Sequence, residues 1–327
     1  MLTRKPCVEY NIYLGDRMAN IQWILFSKNR TLQAKSCLTS LKSLSDVKDE
    51  DIAVLYVDSE KISYSRLLEQ FRCTFKKQVN FYKDLTDIVL SRERPYIAFM
   101  VDDLIFRDRL SAYEISEVMN RCSDLDCFSL RLGKNIVDGR SPVFDRVGGN
   151  TISWKTSPGL GASWNYFWEL SGSVYRRHTV TEYFKRLEES QITFPNPLEF
   201  IYYKMVPNFY IGSKSLFRTL IYPQYWFWRM FCPQKMVRRI ACYEKSRAFT
   251  QGINLVAGRK IDYDTYAQPE KLHELFLQGY TIDFDCLKDV KNTRPNAGRQ
   301  YLRIVGPHGE VHPLSVYPKD ERSCKVR

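Results

Sequence analysis

The apolar positions of the first 130 residues alternate between two periods. Residues 21–26 (Ile-Gln-Trp-Ile-Leu-Phe) form an almost unbroken apolar run that stops at the polar stretch Ser27-Lys28-Asn29-Arg30. Leu32, Cys37, Leu38, Leu41 and Leu44 then recur at helical spacing, with Asn29 or Thr31 as a cap. A second run, 52–57, ends at Asp58, and Leu67, Leu68, Phe71 and Phe75 mark another amphipathic helix. A third run, 96–101, ends at Asp102-Asp103; Ile115, Val118, Met119 and Cys122 mark the next helix, and 127–132 reads as a further strand.

Strands this continuously apolar are buried on both faces, and strands alternating with helices predict a parallel sheet covered by helices on each side. Ligands of such sheets sit beyond the carboxyl ends of the strands. Ser27–Arg30, Asp58 and Asp102-Asp103 all fall on that rim. Beyond it the pattern loosens: residues 133–163 read as loop or short strands, and 181–189 as a helix.

Composition adds a charge and removes several classes. The 327 residues carry 49 Lys and Arg against 37 Asp and Glu, a net charge of +12. Ten basic residues against one acid, Glu244, place +9 of it in residues 213–260, where seven aromatics fall within 217–231. A basic, aromatic stretch suits an anionic membrane surface, a stacking platform for sugars or nucleic acid, or a packed core with solvated cations. No apolar run approaches the roughly 20 residues of a spanning helix. The opening Met1–Pro6 is not followed by an apolar segment, so a signal peptide is not expected. Nine scattered cysteines with no C-x-x-C pair point to a reducing compartment. The expected location is cytoplasmic, with peripheral membrane attachment.

Several chemistries lack their signatures. The chain has no G-x-x-x-x-G-K-[ST] loop and no G-x-S-x-G elbow, and Gly159-Leu160-Gly161 lacks the third glycine of a dinucleotide fingerprint. The four histidines, His178, His273, His308 and His312, are dispersed and receive no role. Asp102-Asp103 is the most informative pair. Adjacent carboxylates at the end of a buried strand repel unless compensated, and a hard divalent cation that also takes phosphate oxygens does this well. The competing account is an Asp capping the helix or turn that begins at Leu104.

The succession Ile24-Leu25-Phe26-Ser27-Lys28-Asn29-Arg30, Val57-Asp58 and Phe99-Met100-Val101-Asp102-Asp103-Leu104-Ile105-Phe106 resembles that of GT-A-fold glycosyltransferases, over about residues 20–210. The resemblance implies an α/β fold with a Rossmann-like mixed sheet flanked by helices, acting on a nucleotide-sugar donor, with a glycan or lipid-linked glycan acceptor. The implied divisions are an N-terminal extension (1–20), a catalytic domain (21–210, donor half 21–132 and acceptor half 133–210) and a basic, aromatic C-terminal region (211–327). In place of the family's DXD motif stands Val101-Asp102-Asp103, so Asp103 matches the metal-binding acid, with Asp102 beside it on metal or donor, and Mn2+ or Mg2+ as cofactor.

The resemblance further places Ser27, Arg30 and Asp58 at the nucleotide, and Arg131 and Lys134 at phosphate or sugar. Arg247, Gln251 and Asn254 are expected to close over the diphosphate. Glu199, after the turn Phe194-Pro195-Asn196-Pro197-Leu198, matches the segment that supplies the acceptor's general base, with Glu169 in reserve. Their plainer readings are a helix-favoured Glu for Glu199, a turn buttress for Glu169, a helix cap for Ser27, a turn residue for Asp58, and solvated charges for Arg30, Arg131 and Lys134. A nucleotidyltransferase acting on sugar phosphates and a non-catalytic nucleic-acid-binding protein are the alternatives.

Overall fold

The computed structural model describes residues 20–189, 237–251, 268–283, 293–297 and 303–312. Its centre is a nine-stranded sheet in the order β3-β2-β1-β4-β9-β6-β10-β8-β7. β1 (Ile21–Lys28), β2 (Ile52–Val57), β3 (Thr74–Lys77) and β4 (Tyr96–Val101) run parallel. β9 (Ser173–Arg176) lies antiparallel between β4 and β6 (Cys127–Ser129). β10 (Arg239–Tyr243) pairs parallel with β6, and the hairpin of β7 (Asp145–Gly148) and β8 (Thr151–Lys155) closes the far edge. The mixed, helix-flanked α/β sheet expected from the sequence is therefore present.

Two apolar layers follow from strand alternation. Trp23, Leu25, Val54, Ala98 and Met100 pack with Leu32, Cys37, Leu38 and Leu41 of α1 (Thr31–Leu44). Ile24, Ala53, Leu55, Ile97 and Phe99 face Leu85, Ile88 and Val89 of α3 (Phe81–Leu90) on the other side. Both faces being covered, β1, β2 and β4 are almost continuously apolar, which is what makes them visible in the sequence.

The differences from the sequence reading have local causes. The helix α2 stops early (Ser65–Gln70), and Phe75, counted with it, lies in β3, where pairing with β2 overrides its helical spacing. Leu104 opens not a helix but β5 (Leu104–Phe106), which leaves the main sheet for a second, three-stranded one, β13-β11-β5. In it β11 (Ala248–Gln251) runs antiparallel to β5 and parallel to β13 (Asn296–Ala297). A last antiparallel pair joins β12 (Thr281–Ile282) to β14 (Ile304–Val305). The turn Asp102-Asp103 is thus the point at which the chain passes from the large sheet to the three-stranded one.

β10 is an interior strand of the main sheet and β11 the middle strand of the small one, although both fall in the residues expected to form a C-terminal region of their own. Arg238 and Arg239 are held there by Asp126 and Asp124, and the Arg238 guanidinium lies 4.9 Å from the Phe167 ring centre. Further helices are α4 (Ala112–Arg121), the short α5 (Ala162–Asn165), α6 (Arg177–Glu189) and α7 (Pro269–Leu277), the last packed on α1. Among the described residues no helix is long and apolar enough to cross a membrane.

Candidate functional site

The carboxyl ends of β1 and β4 meet at a buried polar network. Asp102 is 3 % exposed; its Oδ1 accepts from Arg30 Nη1 at 2.8 Å, and its Oδ2 from Ser27 Oγ at 2.9 Å and the Lys28 amide at 3.3 Å. Tyr64, just before α2, puts its hydroxyl 2.5 Å from Ser27 Oγ and accepts from the Arg30 amide at 3.1 Å. The protons then have one consistent arrangement: Tyr64 donates to Ser27, and Ser27 to Asp102. Burial raises the Asp102 carboxyl, and Arg30 opposes that shift.

Both Asp102 oxygens accept hydrogen bonds within the protein, which makes Asp102 the anchor of the rim. Ser27 and Arg30 are likewise committed to it: Ser27 does not cap α1, whose N-cap is Arg30 with no side-chain cap. Tyr64 and the ordering it gives are absent from the sequence reading. Nothing local marks that tyrosine, since its partners lie 37 and 34 residues away.

Asp103 is different. Arg30 approaches its Oδ2 at 3.6 Å, but Oδ1 is buried and has no hydrogen-bond partner. Burial, then the neighbouring Asp102 charge, pushes its carboxyl up to about 6, against the pull of Arg30 and Arg131. Such a raised carboxyl marks a destabilised negative charge, which gains from an added cation. Across the small sheet, the Gln251 amide N–H donates to the Asp103 carbonyl at 2.8 Å, and the Gln251 side chain is fully buried with both amide atoms unpartnered.

Arg131, past the end of β6, completes this side. It donates to Thr250 Oγ1 at 3.0 Å and to Glu169, whose other oxygen accepts from Ser173 Oγ at 2.9 Å. Gly172, at φ +83°, lets this approach happen: a Cβ there would lie 3.3 Å from Arg131 Cγ and Leu104. Glu169 thus acts here as a clamp on Arg131.

The remaining predicted residues scatter. Asp58, at the end of β2, pairs with Lys77 at 2.8 Å, and the backbone bond from the Asn29 amide to Val57 ties its rim to that of β1. Asn29, in the left-handed region at φ 53°, keeps a buried and unpartnered Oδ1 there. Lys134 is bound to Glu244. Arg247 does not reach the site. It pairs with Asp108 and stacks on Tyr243 at 4.5 Å, at the far end of β11, about 13 Å along the strand from Gln251's end. Glu199, Asn254 and the aromatic stretch 217–231 lie outside the described residues. A pocket of about 590 Å³ lined by Glu50, Arg92, Glu93 and Arg94 sits before β2 and β4, at the opposite rim.

Among the described residues no three or more His, Cys, Asp or Glu side chains gather for a metal. One carboxylate oxygen here, Asp103 Oδ1, has no hydrogen-bond partner. That fits a Mg2+- or Mn2+-type ion held by a single carboxylate, with a ligand's phosphates supplying the other oxygens; it does not fit an all-protein cage.

No family model and no curated protein matches the sequence. Among solved structures, residues 1–349 of S. aureus TarS in complex with UDP match at 13 % identity and TM-score 0.38, over 70 % of this chain and 60 % of that one. The mannosyltransferase PcManGT from Pyrobaculum calidifontis, in complex with GDP-Man and Mn2+, matches at 11 % and 0.25, over 35 % and 36 %. A 4-diphosphocytidyl-2C-methyl-D-erythritol synthase from Anaerococcus prevotii matches at 8 % and 0.35, over 81 % and 99 %. All three scores are low, and the chain spans under two thirds of the first two; the architecture rests on its own strand order and register.

Proposed function

We propose that this chain is a GT-A-type glycosyltransferase that takes a nucleoside diphosphate sugar as donor, with metal assistance, and a glycan or lipid-linked glycan as acceptor. The observation that carries the reading is Asp103: a carboxylate on the carboxyl rim of a parallel sheet, raised toward neutrality, with one unpartnered oxygen. The sequence resemblance supplies the class, and the chemistry of that oxygen agrees with it.

In this reading Asp103 would hold the metal, which offsets charge on the departing nucleoside diphosphate. Asp102, Arg30, Ser27 and Tyr64 fix the turn that carries Asp103. Asp58 and Asn29 at the adjoining rim face the nucleoside, and Arg131, clamped by Glu169, supplies fixed positive charge on the sugar side. Glu199 takes the proton of the acceptor hydroxyl. A nucleotidyltransferase is disfavoured by the β1–α1 connection, Ser27-Lys28-Asn29-Arg30, which has no glycine to let phosphate approach the backbone.

The test is thermal denaturation and calorimetry with UDP, GDP, UDP-glucose, UDP-GlcNAc and GDP-mannose, each with and without Mn2+. A donor at 100 times its Kd adds about 2.7 kcal/mol of stability, and the gain should require metal. Absence of any nucleotide effect, with nucleic acid binding that falls steeply with salt, overturns the reading in favour of a nucleic-acid-binding protein.

A further inference from the structure

We infer that Gln251 reads a hydroxyl of the donor sugar immediately beside Asp103, and so sets which sugar the site accepts. This deepens the donor reading above and rests on it. Gln251 ends β11 directly opposite Asp103, joined by the Gln251 N–H to Asp103 carbonyl bond. Residues opposite one another in an antiparallel pair project from the same face, so its side chain leaves the small sheet on the side of the Asp103 carboxylate. The next residue back, Thr250, points the other way and is occupied by Arg131.

The amide has lost its water and gained nothing in return. It is fully buried, and neither its oxygen nor its nitrogen has a partner, whereas buried amides are almost always satisfied. An unsatisfied donor and acceptor held together match a hydroxyl, which offers one of each. A phosphate oxygen only accepts, and a metal would use the carbonyl alone. The amide is neutral and already desolvated, so binding a hydroxyl there costs the protein no further dehydration. The neighbouring Asp103 side chain, 15 % exposed, is where this face comes nearest to solvent. Sites built to hydrogen-bond a hydroxyl discriminate strongly against ligands that lack it, because the protein group is otherwise left unpaired.

The test compares the wild-type protein with Gln251→Leu and Gln251→Met by calorimetry and thermal denaturation. The ligands are UDP and GDP alone, UDP-glucose, UDP-GlcNAc and GDP-mannose, with Mn2+ present. The expected result is a nucleoside diphosphate affinity within about twofold of wild type, and at least tenfold weaker binding of the preferred nucleotide sugar. The melting temperature should be unchanged or higher, as an unsatisfied amide has been removed. A purely structural glutamine would instead lower the melting temperature and weaken both ligand types equally, which overturns the inference. So does a sugar preference that survives both variants, or a wild-type protein that binds the bare nucleoside diphosphate as tightly as every nucleotide sugar; the donor reading then stands. Failure of every nucleotide to bind the wild-type protein removes the donor reading and this inference with it.

Discussion

Asp102→Ala is expected to be among the most damaging single changes at the rim, and to act through stability before it acts through chemistry. The substitution strips three donors of their acceptor: the Arg30 guanidinium at 2.8 Å, the Ser27 hydroxyl at 2.9 Å and the Lys28 amide at 3.3 Å. Arg30 is 8 % exposed and cannot recover its hydration by a small rotation. Removing one partner of a buried pair costs about 3–5 kcal/mol, most of it from the uncompensated charge left behind. Arg30 still has Asp103 Oδ2 at 3.6 Å, which places the expected loss near the lower bound, about 3 kcal/mol. A domain's whole stability is about 5–15 kcal/mol, so the shift is large on that scale.

The assay is urea denaturation at pH 7 in chelator, comparing midpoints at constant slope. The decisive variant is the double substitution Arg30→Met with Asp102→Leu. If the network's cost lies in unpaired charge, filling the space with apolar groups restores the fold to within about 1 kcal/mol of wild type, although each single change is destabilising. That restored protein should no longer bind nucleotide sugars, because Asp103 has lost the turn that presents it. A loss under about 1 kcal/mol for Asp102→Ala, or a double variant as unstable as the sum of the singles, refutes the assignment of Asp102 as an anchor.

Three further outcomes are expected. Asp103 is raised from 3.8 to about 6, so the unfolded chain sheds this proton first and stability contributed by the neutral form is lost as pH rises from about 4 to 6; in the absence of metal, Asp103→Asn should therefore be the more stable protein at pH 7.5, by about 1–3 kcal/mol, and show no such advantage at pH 4, while equal stabilities at pH 7.5 would refute the raised carboxyl. Glu199→Gln should keep donor affinity and lower kcat by about 10²–10⁴, read by pre-steady-state product formation, and an unchanged rate removes Glu199 from the mechanism. Sedimentation with anionic vesicles at low salt, reversed by high salt, is expected from the +9 of residues 213–260, and Lys214→Glu with Lys235→Glu should weaken it, by about 1 kcal/mol per cation removed; Arg238 and Arg239 are unsuitable for this test because Asp126 and Asp124 hold them.

The strands buried on both faces, and the rim on which they end, are legible in the sequence because both properties are written in consecutive residues. Hidden from it are β3, β5, β10 and β11, each of which is strand only by virtue of a partner elsewhere in the chain: β11 at residue 248 pairs with β5 at 104, and β10 at 239 with β6 at 127. The same distinction governs the site. Asp102-Asp103 announces itself as two adjacent acids, but the division of labour between them is decided by Arg30, 72 residues earlier in the chain than Asp102.

The C-terminal half of the site shows how register, rather than residue type, assigns roles. Arg247 and Gln251 lie four positions apart, and a basic residue is the more obvious candidate for a diphosphate. Antiparallel pairing sends Arg247 to the Arg107–Asp108 end of β5, and brings Gln251 to Asp103 at the other end. A one-residue slip would exchange the faces of Thr250 and Gln251, pulling Thr250 away from Arg131 and withdrawing the glutamine amide from the carboxylate's side. The β5–β11 ladder therefore couples two halves of the rim: the charged clamp of Glu169, Arg131 and Thr250 on one face, and the unpartnered pair of Asp103 and Gln251 on the other. Charge is satisfied where the protein must be rigid, and left unsatisfied where a ligand has something to supply.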